Sequence, residues 1–89
     1  MAATVASVRR FAGADPEDDE VLAACLAAAT EWYAHAGVPE YTSGALYDFW
    51  VANLAAWFFD NRGNADVNAD IPGYIVASVH QLRGAGRGR

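Results

Sequence analysis

The residues that could carry out chemistry are few and scattered. The chain has one cysteine, Cys25, and two histidines, His35 and His80, among 89 residues. A hydrolase built on Cys25 would need a reactive, accessible thiol beside a histidine and an acid, but Cys25 falls on the apolar side of a predicted helix. No glycine-rich phosphate loop, Gly-x-Ser-x-Gly elbow or His-Glu-x-x-His helix occurs. The sequence therefore predicts no catalytic residue and no enzyme.

Two acidic stretches could hold a metal ion. Asp66-Val67-Asn68-Ala69-Asp70 resembles the start of a calcium loop, but Ile71 and Ala77 stand where that loop needs glycine and glutamate. Asn and Asp residues in such a stretch more often form turns, with Asp70 as a helix cap. The second stretch, 17–20, could be a metal or docking patch, although acids at a helix start also compensate the helix dipole. We expect no metal and no cofactor.

Composition limits the classes of protein that the chain can belong to. Its 89 residues suffice for one domain, and 54% of them are hydrophobic, which is typical of a packed core. The net charge is −5, and the six basic residues are all arginines, which argues against free-standing nucleic-acid binding. A single cysteine, no apolar run of membrane-spanning length and no signal-peptide pattern lead us to expect a soluble intracellular protein with no membrane contact.

Helical spacing predicts an all-α fold, a small bundle of three main helices and a short N-terminal helix. Thr4 is the predicted N-cap of the short N-terminal helix, which we call the leader. Asp15-Pro16 mark the start of the next helix and Gly37 its end, and Gly63 marks the end of the third. The last segment has β-branched residues that could also alternate in a strand, although its 3-4 spacing favours a helix. The predicted helices are the leader at 4–11, then 16–36, about 43–62, and 71–83; residues 1–83 form the single domain, and 84–89 form a mobile Gly/Arg tail.

The third predicted helix is apolar around most of its circumference. Leu46, Trp50 and Trp57 form one stripe, while Tyr47 and Phe58 belong to another. Because two other helices cannot easily cover such a helix, we expect part of its surface to meet another subunit.

The order of these features resembles the phage head-tail connector family, the small head-completion adaptors of long-tailed phages. No single stretch is diagnostic, but together they cover roughly 5–83. The stretches that carry the resemblance are Val8-Arg9-Arg10-Phe11 before the acidic helix start, Leu26-Ala27-Ala28-Ala29-Thr30-Glu31-Trp32-Tyr33, Leu54-Ala55-Ala56-Trp57-Phe58-Phe59-Asp60-Asn61-Arg62, and Ile71-Pro72-Gly73-Tyr74-Ile75-Val76-Ala77-Ser78-Val79-His80-Gln81-Leu82-Arg83. The chain departs from the family in its many alanines, its lack of lysine and its extra aromatic residues.

The resemblance implies a structural virion protein that forms a ring, expected to be a dodecamer, below the portal. Such a ring extends the DNA channel, through which DNA passes without sequence-specific binding. The implied partners are the portal protein and the next connector or tail-terminator protein. The implied location is the head-tail interface of the virion, and the host cytoplasm during assembly.

Two groups of residues are candidates for these contacts. For the oligomer interface we expect Trp50, Trp57, Phe58 and Arg62, although the aromatic residues could instead fill the core and Arg62 could stabilise a helix end. For the portal or adaptor contact we expect the loop and tail residues, against the alternative of turns and a solubilising tail. This second group comprises Asp66, Asn68, Arg83, Arg87 and Arg89.

A different class of protein fits the same composition. A small dimeric helical regulatory or antitoxin-like module that binds a partner protein would bury the same aromatic face in a two-fold contact. It would form no ring.

Overall fold

The computed structural model describes residues 3–38, 44–64, 66–67 and 69–87, with side chains as far as Arg83. They form four α-helices and one short 3₁₀ helix, which confirms the predicted all-α bundle. No strand occurs in the described ranges, so the strand alternative for the last segment is wrong. The helices are α1 (Val5–Ala12), α2 (Asp19–His35), α3 (Ala45–Asp60) and α4 (Gly73–Arg87), and the 3₁₀ helix is Pro16–Asp18.

The predicted leader helix, α1, is held by a reciprocal cap at its start. The Ser7 backbone N–H donates to Thr4 Oγ1 at 3.2 Å, and the Thr4 N–H donates to Ser7 Oγ at 3.0 Å. These two bonds satisfy amide groups that have no partner inside the helix. The helix ends at Gly13, whose φ of 64° lies in the left-handed region that glycine adopts without steric cost.

The predicted helix 16–36 is present, but its first turn is 3₁₀ rather than α. The Asp15 N–H donates to the Asp18 carboxylate at 3.3 Å, and the α-helical pattern begins at Asp19. The helix ends at His35. Just beyond it, Gly37 has a φ of 99°, and the Val38 N–H donates a hydrogen bond to the Tyr33 carbonyl at 2.8 Å.

Helix α3 lies at the centre of the bundle and packs against each of the other three α-helices. Helices α1 and α4 cover part of the surface that α2 leaves open, while Leu46 and Phe49 stay exposed. The expected contact of α3 with another subunit stays a prediction. Eight of its sixteen residues are buried. The helix ends at Asp60, two residues before the predicted end, and the Asn61 side chain donates to the Trp57 carbonyl at 2.9 Å. Gly63 follows in the turn with no positive φ.

The last helix, α4, starts at Gly73, where the Ile75 and Val76 N–H groups donate to the Pro72 carbonyl at 3.0 and 3.2 Å. Asp70 was expected to cap this helix but instead accepts a hydrogen bond from Asn64 Nδ2 at 2.9 Å. The backbone stays helical as far as Arg87, so the boundary predicted at 83/84 is not a helix end. The mobility of 84–89 stays a prediction.

Two polar contacts join helices that the sequence alone does not pair. Arg9 of α1 makes a bidentate ion pair with Asp19 of α2, with N–O distances of 3.0 and 2.7 Å. This pair lowers the pKa of the Asp19 carboxyl, chiefly through the hydrogen bond from Arg9. In the core, Tyr33 Oη lies 2.6 Å from Ser78 Oγ and ties α2 to α4.

None of the described helices is both long enough and apolar enough to cross a bilayer.

Candidate interaction surfaces

One end of the bundle carries an exposed aromatic patch, which we define as Phe11, Leu46, Phe49, Trp50 and Tyr74. The exposed fractions of Phe11, Phe49 and Tyr74 are 46%, 44% and 56%. The rings form a chain: centroid distances are 5.5 Å from Phe11 to Phe49, 5.2 Å from Phe49 to Trp50 and 6.4 Å from Trp50 to Tyr74. Leu46 lies one turn before Phe49 and Trp50 on α3 and is 40% exposed. Three helices thus contribute apolar groups to one surface.

The same end of α3 holds two buried polar atoms without a hydrogen-bond partner among the described residues. They are Trp50 Nε1 and one carboxylate oxygen of Asp48. A buried donor or acceptor left unpaired costs about 1–3 kcal/mol, so native proteins rarely keep one without a reason. The aromatic patch therefore borders a region in which hydrogen bonding is incomplete.

A groove runs along the outer face of α2, where the end of α3 and the following turn approach it. Two adjoining cavities of about 450 and 290 Å³ share Ala28, Phe58 and Val67 as lining residues and form this single groove. Its lining includes the small residues Ala24 and Ala28 and the larger apolar residues Trp32 and Val21. The remaining lining residues are Cys25, Glu31, His35, Asn61 and Arg62.

Polar side chains line both cavities of the groove. Glu31 and His35 line one cavity, and Arg62 lines the other. The Arg62 guanidinium lies over the Phe59 ring, with Cζ 4.2 Å from the ring centroid, and Nη1 donates to the Phe59 carbonyl at 2.6 Å. A cation at the last carbonyls of α3 compensates the negative end of the helix dipole. Arg62 therefore stabilises the end of α3, as its structural interpretation predicted, and still borders the groove.

Cys25 lies at the inner wall of the groove and is buried, as the sequence predicted. Burial raises the pKa of its thiol, and the positive charge of Arg62 offsets part of that rise. A thiol with a raised pKa forms little of the thiolate that acts as a nucleophile. This geometry gives Cys25 a packing role.

Three of the four predicted interface residues belong to one or the other of the two surfaces, and the fourth belongs to neither. Trp50 belongs to the aromatic patch, while Phe58 and Arg62 line the groove. Trp57 lies along α3 between them, partly buried against the core and 5.8 Å from the Phe58 ring centroid. The structure thus does not bring the four together as one surface, and Phe58, which is 8% exposed, also fills the monomer core.

The predicted portal or adaptor residues do not form one cluster among the described residues. Asp66 is exposed in a turn, where its N–H donates to Asn64 Oδ1 at 2.9 Å. Arg83 packs at the end of α2, where a Cβ built on Gly37 would lie 3.3 Å from Arg83 Nε. The positions Asn68 and Arg89 lie outside the described residues, as does the side chain of Arg87.

Two features of these surfaces were not predicted from the sequence. Phe11 and Tyr74 appear in the sequence analysis only within the stretches that carry the family resemblance, and their meeting at the end of α3 depends on tertiary packing. The groove depends on the alanines Ala24 and Ala28, which have no signature apart from their 3-4 spacing on one helix face.

The turns after α3 are those expected for 61–70. The Asp66 and Asn64 carbonyls accept backbone bonds at 3.0 and 3.2 Å. Within the described ranges, no three His, Cys, Asp or Glu side chains lie close enough to share a metal ion.

No protein-family model, curated protein or solved structure matches this chain.

Proposed function

We propose that this protein is a head-tail connector, a structural subunit that assembles into a ring below the portal of a long-tailed phage. The observation that carries the proposal is the aromatic patch, in which three rings from α1, α3 and α4 are each about half exposed. Surplus apolar surface of this kind on a small domain is typical of a subunit contact. The order of sequence features described above supplies the particular family.

The charge distribution supports a wall for a DNA channel more than a surface that grips DNA. The net charge is −5. The guanidinium of Arg9 pairs with Asp19, and that of Arg62 donates to the Phe59 carbonyl, so these two groups already have partners within the chain. A protein with a net negative charge lets DNA slide past without tight binding.

Assembly would begin from the portal. A ring of identical subunits closes only when each contact turns the next subunit by the same fraction of a circle, and a portal already built can impose that rotation. The completed ring, expected to be dodecameric, then offers its far face to the next connector or tail-terminator protein. In the free state the subunits associate weakly, because each patch is small.

Electron microscopy of the concentrated protein tests the proposal. We expect rings with a central hole, and no retention of double-stranded DNA at physiological salt, because the counterion term in DNA affinity requires several free cations. A particle with two-fold symmetry and no hole would contradict the proposal and favour the dimeric regulator. Compact two-fold particles and open rings differ in projection, so the images distinguish the two.

A further inference from the structure

The groove beside α2 combines an apolar lining with one arginine among the described residues. Ala28, Phe58 and Val67 line both of its cavities, and Arg62 lines the smaller one. Small-molecule sites are usually clefts of about 300–1,000 Å³ that are mostly apolar and have a few polar groups to orient the ligand. The two cavities, of about 290 and 450 Å³, lie at the lower end of that range. The groove thus has the composition of a small-molecule site.

The Arg62 side chain is anchored within the chain and still has donors left for a ligand. Its Nη1 donates to the Phe59 carbonyl at 2.6 Å, and its Cζ lies 4.2 Å from the centroid of the Phe59 ring. A guanidinium has five N–H donors, and no acid forms an ion pair with this one among the residues that the structure describes. Because the two contacts with Phe59 already orient the side chain, less conformational entropy is lost when the other donors bind an acceptor.

We propose that this groove binds a small monocarboxylate with an apolar body, whose carboxylate pairs with Arg62. A planar guanidinium matches a carboxylate through two parallel N–H···O bonds, which gives the pair a defined geometry. The apolar body of the ligand contacts Ala28, Phe58 and Val67, which are common to the two cavities. The site is separate from the aromatic patch and does not depend on the proposed ring.

The size and the charges of the groove narrow the class of ligand. At the ~30 Å³ that a water-sized group occupies in a liquid, the 290 Å³ cavity next to Arg62 holds about ten non-hydrogen atoms. An eight-carbon monocarboxylate has that size. The larger cavity is lined by Glu31 and His35 and not by Arg62. A second carboxylate at the far end of the ligand would approach Glu31, where like charges repel, so one anionic group is favoured over two.

Binding should be weak, because the groove is open along one side. Ala24 and Ala28 are exposed residues of α2, so a ligand that lies against them stays partly in contact with water. For a ligand of about ten atoms that is only partly covered, we expect a Kd on the order of 1 mM.

Two variants change the charge and the shape of the groove separately. Arg62→Gln removes the positive charge, and its matched control is Arg10→Gln, an exposed α1 position that lines neither cavity and gives the same change in net charge. Ala28→Leu fills the groove, and its matched control is Ala27→Leu, the exposed neighbour that lines neither cavity. Leucine is a good helix former, so both leucine variants preserve α2.

Two-dimensional ¹H–¹⁵N NMR titrations test the proposal, with octanoate below its micelle-forming concentration and 1-octanol as the uncharged probe. In the wild type, octanoate should shift the amides of Ala24, Ala28 and Val67 in a saturable way. We expect Arg62→Gln and Ala28→Leu each to raise the Kd of octanoate at least about fivefold, with both controls within about twofold of the wild type. The Kd of 1-octanol should rise with Ala28→Leu and not with Arg62→Gln.

The spectra also show whether each variant is folded. Ala28→Leu leaves the end of α3 unchanged, so it still tests the site if Arg62→Gln unfolds.

Four results would overturn the proposal. They are an absence of saturable shifts up to about twenty times the expected Kd, shifts confined to the aromatic patch, an octanoate Kd that a folded groove variant leaves unchanged, and groove amides that shift when the protein is diluted without ligand. The last result would assign the groove to a second copy of the chain. Ring formation is tested by the micrographs, so failure of this site leaves the proposed function standing.

Discussion

The buried hydroxyl pair between α2 and α4 makes a quantitative prediction about stability. Tyr33 is fully buried, and Ser78 is 3% exposed. Ser78 Oγ lies 2.5 Å from the Ile75 carbonyl and 2.6 Å from Tyr33 Oη. Since the serine hydroxyl has one hydrogen, which it donates to Ile75, the tyrosine hydroxyl must donate to Ser78. Ser78→Ala therefore leaves the Tyr33 hydroxyl buried without its acceptor.

The expected cost follows from what each substitution leaves behind. An unpaired buried hydroxyl costs about 1–3 kcal/mol, and the better helix propensity of alanine returns about 0.5 kcal/mol. We therefore expect Ser78→Ala to lower the free energy of unfolding by about 0.5–2.5 kcal/mol. Tyr33→Phe leaves Ser78 bonded to Ile75 and should cost about 0.5–1.5 kcal/mol. The double variant removes both partners and should cost about 1 kcal/mol less than the sum of the single variants.

Urea unfolding followed by circular dichroism and tryptophan fluorescence measures these differences. Tyr74→Phe is the matched control, because the Tyr74 side chain is 56% exposed and losing its hydroxyl should change stability by less than about 0.5 kcal/mol. If the costs of Ser78→Ala and Tyr33→Phe add fully in the double variant, the two hydroxyls do not interact and the reasoning fails. The reasoning also fails if Ser78→Ala alone leaves the free energy of unfolding unchanged.

Three further predictions concern pH and backbone conformation. Burial raises the pKa of Tyr33, so the stability that its neutral hydroxyl contributes is complete below pH ~10, the ordinary tyrosine pKa, and falls as the pH rises above that value. The urea midpoint should therefore change more between pH 8 and pH 11 for the wild type than for Tyr33→Phe. Equal changes in the two proteins would contradict this prediction. Arg9 lowers the pKa of Asp19, so the stability that the ion pair contributes is present above the ordinary carboxyl pKa and is lost as the pH falls through the lowered one. Asp19→Asn should therefore destabilise the protein at pH 7, and the difference from the wild type should shrink as the pH falls below about 4; a difference that stays the same over that range would exclude the ion pair as its cause. Gly37→Ala should lower the melting temperature more than Gly13→Ala. Both glycines have a positive φ, but only the methyl group added at Gly37 would also meet the Arg83 guanidinium, at 3.3 Å. Equal losses would mean that backbone strain alone sets the cost.

Local signals in the sequence were sufficient to predict the helices. Thr4, Asp15-Pro16 and Gly37 mark starts and stops through caps and backbone conformations that depend on a few neighbouring residues. The start of α4 was less well predicted, because Asp70 bonds to Asn64, six residues earlier, instead of capping the helix. Side-chain partners of that kind depend on how a turn folds back.

The candidate surfaces were less predictable than the helices. A periodic pattern tells which residues are apolar, but it does not tell whether a neighbouring helix covers them. Phe49 and Phe58 are both aromatic residues of α3, yet the exposed fraction is 44% for one and 8% for the other. That difference arises from where α1, α2 and α4 pack, and the contact of Arg9 with Asp19 is equally non-local.

The mass of the protein in solution tests the central claim most directly. Light scattering over a concentration series should give the 9.5 kDa mass of one chain at low concentration. At high concentration the mass should rise beyond twice that value without stopping at a dimer, because head-to-tail contacts leave a free surface after each addition. A mass that stays at two chains over the whole upper range would contradict the ring and support a two-fold regulatory module.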